Sequence, residues 1–402
     1  MITVAKAEKI VLDEARPQPA VRRKLADAYG AVLRETICAD QDQPSMDRSA
    51  MDGIAIAFER WEKGARSFPI AGIQKAGVAA LRLKKKGDCL EIMTGAVLPG
   101  GCDCVVPVEQ IQMVNRQAVL KDDIRLSRFQ NIRRRAQDYR KGEVLIQAGS
   151  RLSPQQVQVA ASVGKAVVKV SAPVQIAIIG TGDELVEIDR PVKPHQARRS
   201  NVYAIEAALR LNGFSQTRRF HFNDSRARLL RGLQNILEKF DVLILSGGVS
   251  MGKFDFVPEA LAELGVKVLF HKVRQRPGKP FWFGQAKSGK VVFALPGNPV
   301  STQVCAYRYV LPYLKKIMFG APGEIYRVVL GGVVPSHPDL TAFLPVCVAE
   351  NSKGERVATE VAFTGSGDYA ALGGTAGFVE LPAGRGMFRK GQSARFFPWV
   401  PS

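Results

Sequence analysis

The chain has 402 residues, 46% hydrophobic and 23% charged, which is ordinary for a folded protein and enough for two to four domains with sizeable cores. No apolar run has the length of a membrane span and the opening residues carry no signal-peptide core, so a cytoplasmic protein with no membrane partner is expected. The net charge of +20 points to polyanions, but the basic runs are scattered and lack an aromatic platform, so they are read as solvated surface, and nucleic acid is not an expected partner.

The six cysteines include no C-x-x-C pair, and the four histidines do not cluster beside Cys102-Asp103-Cys104. A structural zinc site is therefore not expected, and buried free thiols are.

In chain order, a helix is predicted around Ala20 to Tyr29, followed by a polar run into Pro44. Ser49-Ala50-Met51-Asp52-Gly53 reads as a loop entering a strand, with an ordinary turn as the plain alternative for Asp52-Gly53. Short strands and turns then run to about Leu126 and form a small β-rich domain. Asp138 closes the basic segment Asn131 to Asp138, where an acid is usually an ion-pair partner. Ser153 and Pro154 make an N-cap and first helical position, the helix ends at Gly164, and a strand follows. Val174 to Ile179 opens an α/β pattern, with helices at Asn201–Leu211, at 224–239 and near 255–264, and strands through Phe220, at Val242–Leu245, at Val266–Phe270 and at Lys290–Leu295. Asn298 caps a last helix that begins at Pro299, and its stripe of Val300, Val304, Tyr307 and Leu311 is read as core. Strands and glycine turns return after Glu324, as in a small barrel or sandwich.

The stretch from Asp241 to Pro299 organises the rest. Three short apolar runs each end in a glycine- or proline-bearing loop and read as buried strands of a parallel sheet. Ligands of such sheets bind beyond the carboxyl ends of the strands. Those ends carry Ser246-Gly247-Gly248, Arg276 with Lys279, and Pro296-Gly297-Asn298-Pro299. Glycine admits a phosphate close to backbone N–H groups and the cations balance its charge. With Asp183 and Glu184 past another strand end, and Asp52, Asp138, Asp224 and Asp255 in loops, the set suits a magnesium-bound phosphorylated ligand.

The strings SAMDG (49–53), IMTGA (92–96), NIRRRAQD (131–138), GTGDEL (180–185), SGGVSMG (246–252), RPGKP (276–280) and LPGNPVS (295–301) occur in this order. Together they resemble the MoeA family, molybdopterin molybdenumtransferases that include the gephyrin E-domain, over nearly the whole chain. The resemblance implies a homodimer of four-domain subunits. A discontinuous first domain would span 1–43 and 136–172, a β-rich second domain 44–135, a doubly wound MogA-like α/β domain 173–322, and a C-terminal β-barrel 323–402. It implies a cleft between the third domain of one subunit and the second domain of its partner. There, adenylylated molybdopterin and molybdate would give molybdenum cofactor and AMP, with Mg2+ or another divalent cation. A molybdopterin adenylyltransferase is the implied upstream partner.

Position by position, the resemblance places Asp52, Thr94 and Asp138 on the cleft from the second-domain side. It gives Glu184, Asp224 and Asp255 the metal and pyrophosphate, alongside Asp183, and makes Arg276 and Lys279 an anion clamp. Ser246, Gly247, Gly248 and Ser250 form the glycine loop, Pro296 and Pro299 frame the P-G-N-P turn, and Ser366 comes from the last domain. Arg198-Arg199 departs from the family's aromatic-acid pair, and Ile54 replaces its tyrosine. A non-catalytic molybdopterin-binding or scaffold protein of the same fold is the alternative, and a basic nucleic-acid binder a third.

Overall fold

The computed structural model describes residues 1–249, 256–384 and 386–400. Contacts divide the chain into two compact units. One comprises residues 1–22, 30–34 and 169–402, the other 23–29 and 35–168.

The smaller unit is built on a six-stranded sheet. Its strands run in the order Cys104–Pro107, Gly53–Ile56, Cys89–Ile92, Ser67–Gln74, Gln117–Leu120, Ile111–Val114. Alternate residues of these strands face one core, in which Ile54, Ile56, Phe68, Cys89, Cys104 and Val106 are wholly buried. The strand after Asp52 has to begin with glycine, since a Cβ on Gly53 would stand 1.9 Å from the Val106 carbonyl oxygen. The helix predicted near Pro154 is present as Pro154–Ser162. Ser153 and Gln156 cap it reciprocally.

The larger unit contains the α/β domain. Its strands are β1 (Ile176–Thr181), β2 (Thr217–Phe222), β3 (Val242–Ser246), β4 (Lys267–His271), β5 (Trp282–Gln285) and β6 (Val291–Leu295). They form one sheet in the order β2-β1-β3-β6-β5-β4. The first four are parallel, whereas β5 runs antiparallel to β6 and to β4. The three apolar runs between Asp241 and Pro299 (β3, β4 and β6) therefore point the same way as expected, but the sheet is mixed, because the unpredicted antiparallel β5 stands between β4 and β6. The missed strand β5 turns the chain back, because the short 272–281 connection holds no crossover helix and a parallel return needs one.

Helices α1 (Ser200–Leu211), α2 (Arg226–Lys239) and α3 (Val257–Glu263) lie near their expected places. Helix α4 (Pro299–Cys305) starts at the expected proline, and Val300, Val304, Tyr307 and Leu311 are buried as expected. Residues 306–310 take a π-type turn before the helix resumes at Leu311. Pro312 explains it. Proline has no N–H to continue the ladder, and the wider turn accommodates its ring.

Beyond it, strands Tyr326–Leu330, Thr341–Glu350, Arg356–Glu360, Gly377–Leu381 and Ser393–Pro398 close on themselves, since Thr341–Glu350 pairs with both Arg356–Glu360 and Gly377–Leu381. This is a small barrel. Gln275–Arg276 adds a short parallel strand to it beside Thr341.

The helix expected over Ala20–Tyr29 is replaced by a strand, Ala20–Lys24, and a 3-10 turn, Leu25–Asp27. The Pro19 carbonyl accepts from Ala172 N–H at 2.8 Å, so pairing with distant backbone overrides local propensity.

Candidate active site

In the parallel half of the sheet, β1 connects to β2 on one side and the chain then returns to β3 on the other. The crevice beyond the carboxyl ends of β1 and β3 is thus a topological switch point, where ligands of open α/β sheets bind. Three cavities of about 570, 380 and 750 Å³ lie along this edge. The first two share Thr181, Glu184, Gly247 and Gly297 as wall, and the second and third share Pro280, Pro296 and Asn298. They form one trench within the larger unit.

The acidic end comes from the loops after β1 and β2. Glu184 and Asp224 line the same 380 Å³ cavity. The Glu184 carboxylate lies over Gly182, where an added Cβ would meet it at 2.4 Å. Asp183 turns away to the structure of the loops. Its Oδ1 accepts from Asn223 Nδ2 (2.9 Å) and from Asp224 N–H (3.2 Å), and His221 Nε2 donates to the Gly182 carbonyl (3.0 Å). Among the described residues no three His, Cys, Asp or Glu side chains gather as a metal-binding group. Two hard carboxylate donors facing one cavity nevertheless fit a magnesium-like ion, which takes one or two carboxylates and fills its remaining positions with water and phosphate. Asp255 and Ser250 lie outside the described residues.

Gly247 and Gly248 follow β3 with φ of +100° and +69°. A Cβ on Gly247 would stand 2.8 Å from the Thr181 carbonyl oxygen, and one on Gly248 2.6 Å from Val257. Only glycine lets the chain pass so close. Ser246 is buried behind them. Asn201, read from sequence only as a helix start, bolts the trench floor together. Its amide nitrogen donates to Ser246 Oγ (2.9 Å), the Gly297 carbonyl (2.7 Å) and Thr302 Oγ1 (3.2 Å). Thr181 Oγ1 was also missed from sequence. It is a buried hydroxyl at the centre of the trench with no hydrogen-bond partner among the described residues, and nothing in the sequence separates it from a core threonine.

The basic end is the 750 Å³ cavity. Arg276 and Lys279 enter it from the loop before β5, Pro296 from the turn after β6, Ser301 from α4, and Ser366 and His337 from the barrel. Asn298 has the expected cap position, but its side chain donates to Ser366 Oγ at 2.7 Å instead of capping the helix. Ser366 also accepts from Val300 N–H through its carbonyl (3.0 Å). This ties the barrel to the α/β domain at the site. Pro299 lines the 570 Å³ cavity.

Arg198 and Arg199 line the acidic side, where both side chains are engaged locally. Arg198 donates to the carbonyls of Ile188 (3.0 Å) and Arg190 (3.2 Å), and Arg199 pairs with Glu187. They hold the 183–199 loop closed on itself.

Asp52, Thr94 and Asp138 belong to the smaller unit. Asp52 Oδ1 accepts from Thr94 N–H (2.6 Å) and Thr94 Oγ1 (2.9 Å), which holds the exposed Asp52 carboxyl below the usual range. Asp138 is gripped through both oxygens by Arg133 Nη2, the ion-pair partner that its basic surroundings indicated. Of the cysteines, Cys89, Cys102, Cys104 and Cys305 are buried thiols as expected, while Cys38 and Cys347 are exposed.

Three family models match the chain in order. They are the MoeA N-terminal region (domains I and II) over residues 2–164, a probable molybdopterin binding domain over 177–316, and the MoeA C-terminal region (domain IV) over 327–399. A molybdopterin molybdenumtransferase of Synechocystis is 37% identical over 400 residues, covering 99% of this chain and 100% of its own. The Bacillus subtilis protein of the same name is 30% identical, over 92% of this chain and 88% of its own. The crystal structure of a molybdopterin biosynthesis MoeA protein from Pyrococcus horikosii superposes with a TM-score of 0.84 at 26% identity, covering 100% of both chains.

Proposed function

The chain belongs to the MoeA family of molybdopterin molybdenumtransferases, enzymes of molybdenum cofactor biosynthesis, and from that premise we propose that its trench takes adenylylated molybdopterin and molybdate and yields molybdenum cofactor and AMP. One observation carries this assignment. A carboxylate pair, a glycine loop and a two-cation loop are strung along one continuous trench, in the order that a phosphoanhydride and a second, separate oxyanion would need.

Gly247 and Gly248 admit the pyrophosphate against the backbone. Glu184 and Asp224, with Asp255, would hold a divalent cation such as Mg2+, which would neutralise charge on the anhydride oxygens and favour its hydrolysis. Arg276 and Lys279 hold molybdate by charge and hydrogen bonds, with Ser366 as an additional donor. Pro296 and Pro299 fix the turn that carries Asn298 between the two ends. Asp183 sets the Asp224 loop. Asp52 and Thr94, joined by two hydrogen bonds, are assigned to the trench of a partner subunit in a homodimer, with Asp138 shaping their side through Arg133. The substrate comes from a molybdopterin adenylyltransferase. Six unpaired cysteines suit a reducing compartment, and we place the reaction in the cytoplasm.

Relatives named as transferases along the full chain leave a non-catalytic scaffold unfavoured. The test is AMP release from adenylylated molybdopterin with magnesium and molybdate, read beside activation of an apo-molybdoenzyme. Molybdate-dependent release that Glu184→Ala abolishes supports the assignment. Tight pterin binding without AMP release overturns it.

A further inference from the structure

Beneath the Arg276–Lys279 loop lies a buried polar cluster to which the transferase assignment gives no role. Gln275 is wholly buried. Its amide nitrogen donates to the carbonyls of Pro277 (3.2 Å) and Gly278 (3.3 Å) and to Cys305 Sγ (3.4 Å). Its amide oxygen accepts from the Tyr309 hydroxyl at 2.6 Å. Tyr309 is itself buried, and burial raises its phenol far above the ordinary range, so the hydroxyl remains a donor. The loop is wrapped closely around this amide. A Cβ on Gly278, whose φ is +92°, would stand 2.5 Å from Gln275 Nε2 and 2.8 Å from Cys305 Sγ. The Lys279 carbonyl is also engaged, accepting from Val273 N–H at 3.0 Å.

Burying an amide this deep is costly unless every polar atom is paired. Here the pairing has a directional consequence. In a trans peptide unit the C=O and the following N–H point opposite ways. Carbonyls 277 and 278 turn toward Gln275, so the N–H groups of Gly278 and Lys279 turn away from it. Arg276, Lys279, Asn298, Ser301 and Ser366 line the cavity that this loop borders. Two successive N–H groups beside two cations make a concavity for an oxyanion.

We propose that Gln275, anchored by Tyr309, is a positioning residue that presets the Gly278 and Lys279 N–H groups as donors to the molybdate oxyanion. This rests on the transferase assignment and adds a residue to it. The amide is matched to the task, since one end gives two donors to the loop carbonyls and the other takes the tyrosine proton. A glutamate of the same shape would set a carboxylate against those carbonyls.

The test compares Gln275→Glu and Tyr309→Phe with the unaltered protein. AMP release is followed as molybdate is varied at saturating adenylylated molybdopterin, and the reverse, and molybdate binding is measured directly by calorimetry. We expect the KM and Kd for molybdate to rise about tenfold, the cost of weakening hydrogen bonds to a charged ligand. The KM for the pterin and the kcat at saturating molybdate should stay within about twofold. Tyr309→Phe keeps its packing and reports if Gln275→Glu does not fold. Unchanged molybdate constants, or molybdate and pterin constants that rise together with a loss of thermal stability, would reduce the cluster to packing and overturn the proposal. An unaltered protein that binds molybdate but releases no AMP defeats the transferase assignment instead, and calorimetry then still decides the role of Gln275.

Discussion

Two hydrogen bonds from Thr94, one from its N–H and one from its hydroxyl, hold the exposed Asp52 carboxyl below its ordinary value of 3.8. A carboxylate with a lowered folded pKa stabilises the fold fully above its unfolded pKa, and that contribution fades as pH falls through the lower value. Thr94→Val removes the hydroxyl donor but not the N–H. The Asp52 titration, followed by carboxyl carbon NMR, should therefore move part of the way back toward 3.8. Glu184 and Asp224 are set against the open trench rather than a core. Glu184→Gln and Asp224→Asn should each cut AMP release by roughly a hundredfold or more, and Glu184→Gln should leave the unfolding midpoint unchanged, since it loses a charge and keeps its shape. At this scale sequence motifs located residues well and their partners poorly. Asp183 and Glu184 are adjacent, yet one braces a neighbouring loop and the other faces the cavity, a difference that no spacing rule contains.

Among the elements, the turn that follows β3 admits only glycine at 247 and 248. Ala at 247 would hold φ near +100° against the Thr181 carbonyl oxygen. Gly247→Ala should cost roughly 1–3 kcal/mol in urea unfolding and weaken pterin binding, because Gly247 lines the trench. The π-type turn at 306–310 carries Arg308, which is 1% exposed and lies between the helix Val4–Asp13 and the barrel. Its guanidinium donates to Glu8 Oε2 and Glu380 Oε2, both at 2.7 Å, with Arg395 Nη2 on Glu8 Oε1 at 3.1 Å. Burial alone would raise the Glu8 carboxyl, but Arg308 and Arg395 bring it below its ordinary 4.5. Arg308→Met leaves two acids without their buried partner, so a loss of about 3–5 kcal/mol is expected in the denaturant midpoint. The helices Pro154–Ser162, with its capping serine, and Pro299–Cys305, with its first-position proline and apolar stripe, were legible because those signals are local. The strand at Ala20–Lys24 was not, because its hydrogen bonds come from residues some 150 positions away.

For the molecule as a whole, a homodimer that shares its sites makes a prediction that single-subunit catalysis does not. Asp52→Ala and Glu184→Ala proteins, each inactive, should recover activity when unfolded and refolded together. Random pairing puts half the subunits' partners in mixed dimers, each with one intact site, so roughly a quarter of full activity is expected. No recovery from a mixture that does dimerise would place both residues in the same subunit's site. Composition, loop strings and the alternation of strands and helices were enough to assign the family and the α/β sheet with a barrel after it. Those features are carried by residues near one another in the chain, where propensity, capping and glycine geometry act. Tertiary structure alone decided that Arg276 and Lys279 open onto a cavity walled by the barrel, that an antiparallel β5 stands between β4 and β6, and that Gln275, Tyr309 and Cys305 meet beneath the anion loop. Side chains 30 residues apart touch only after strands have paired and apolar faces have closed, and long-range burial makes that choice.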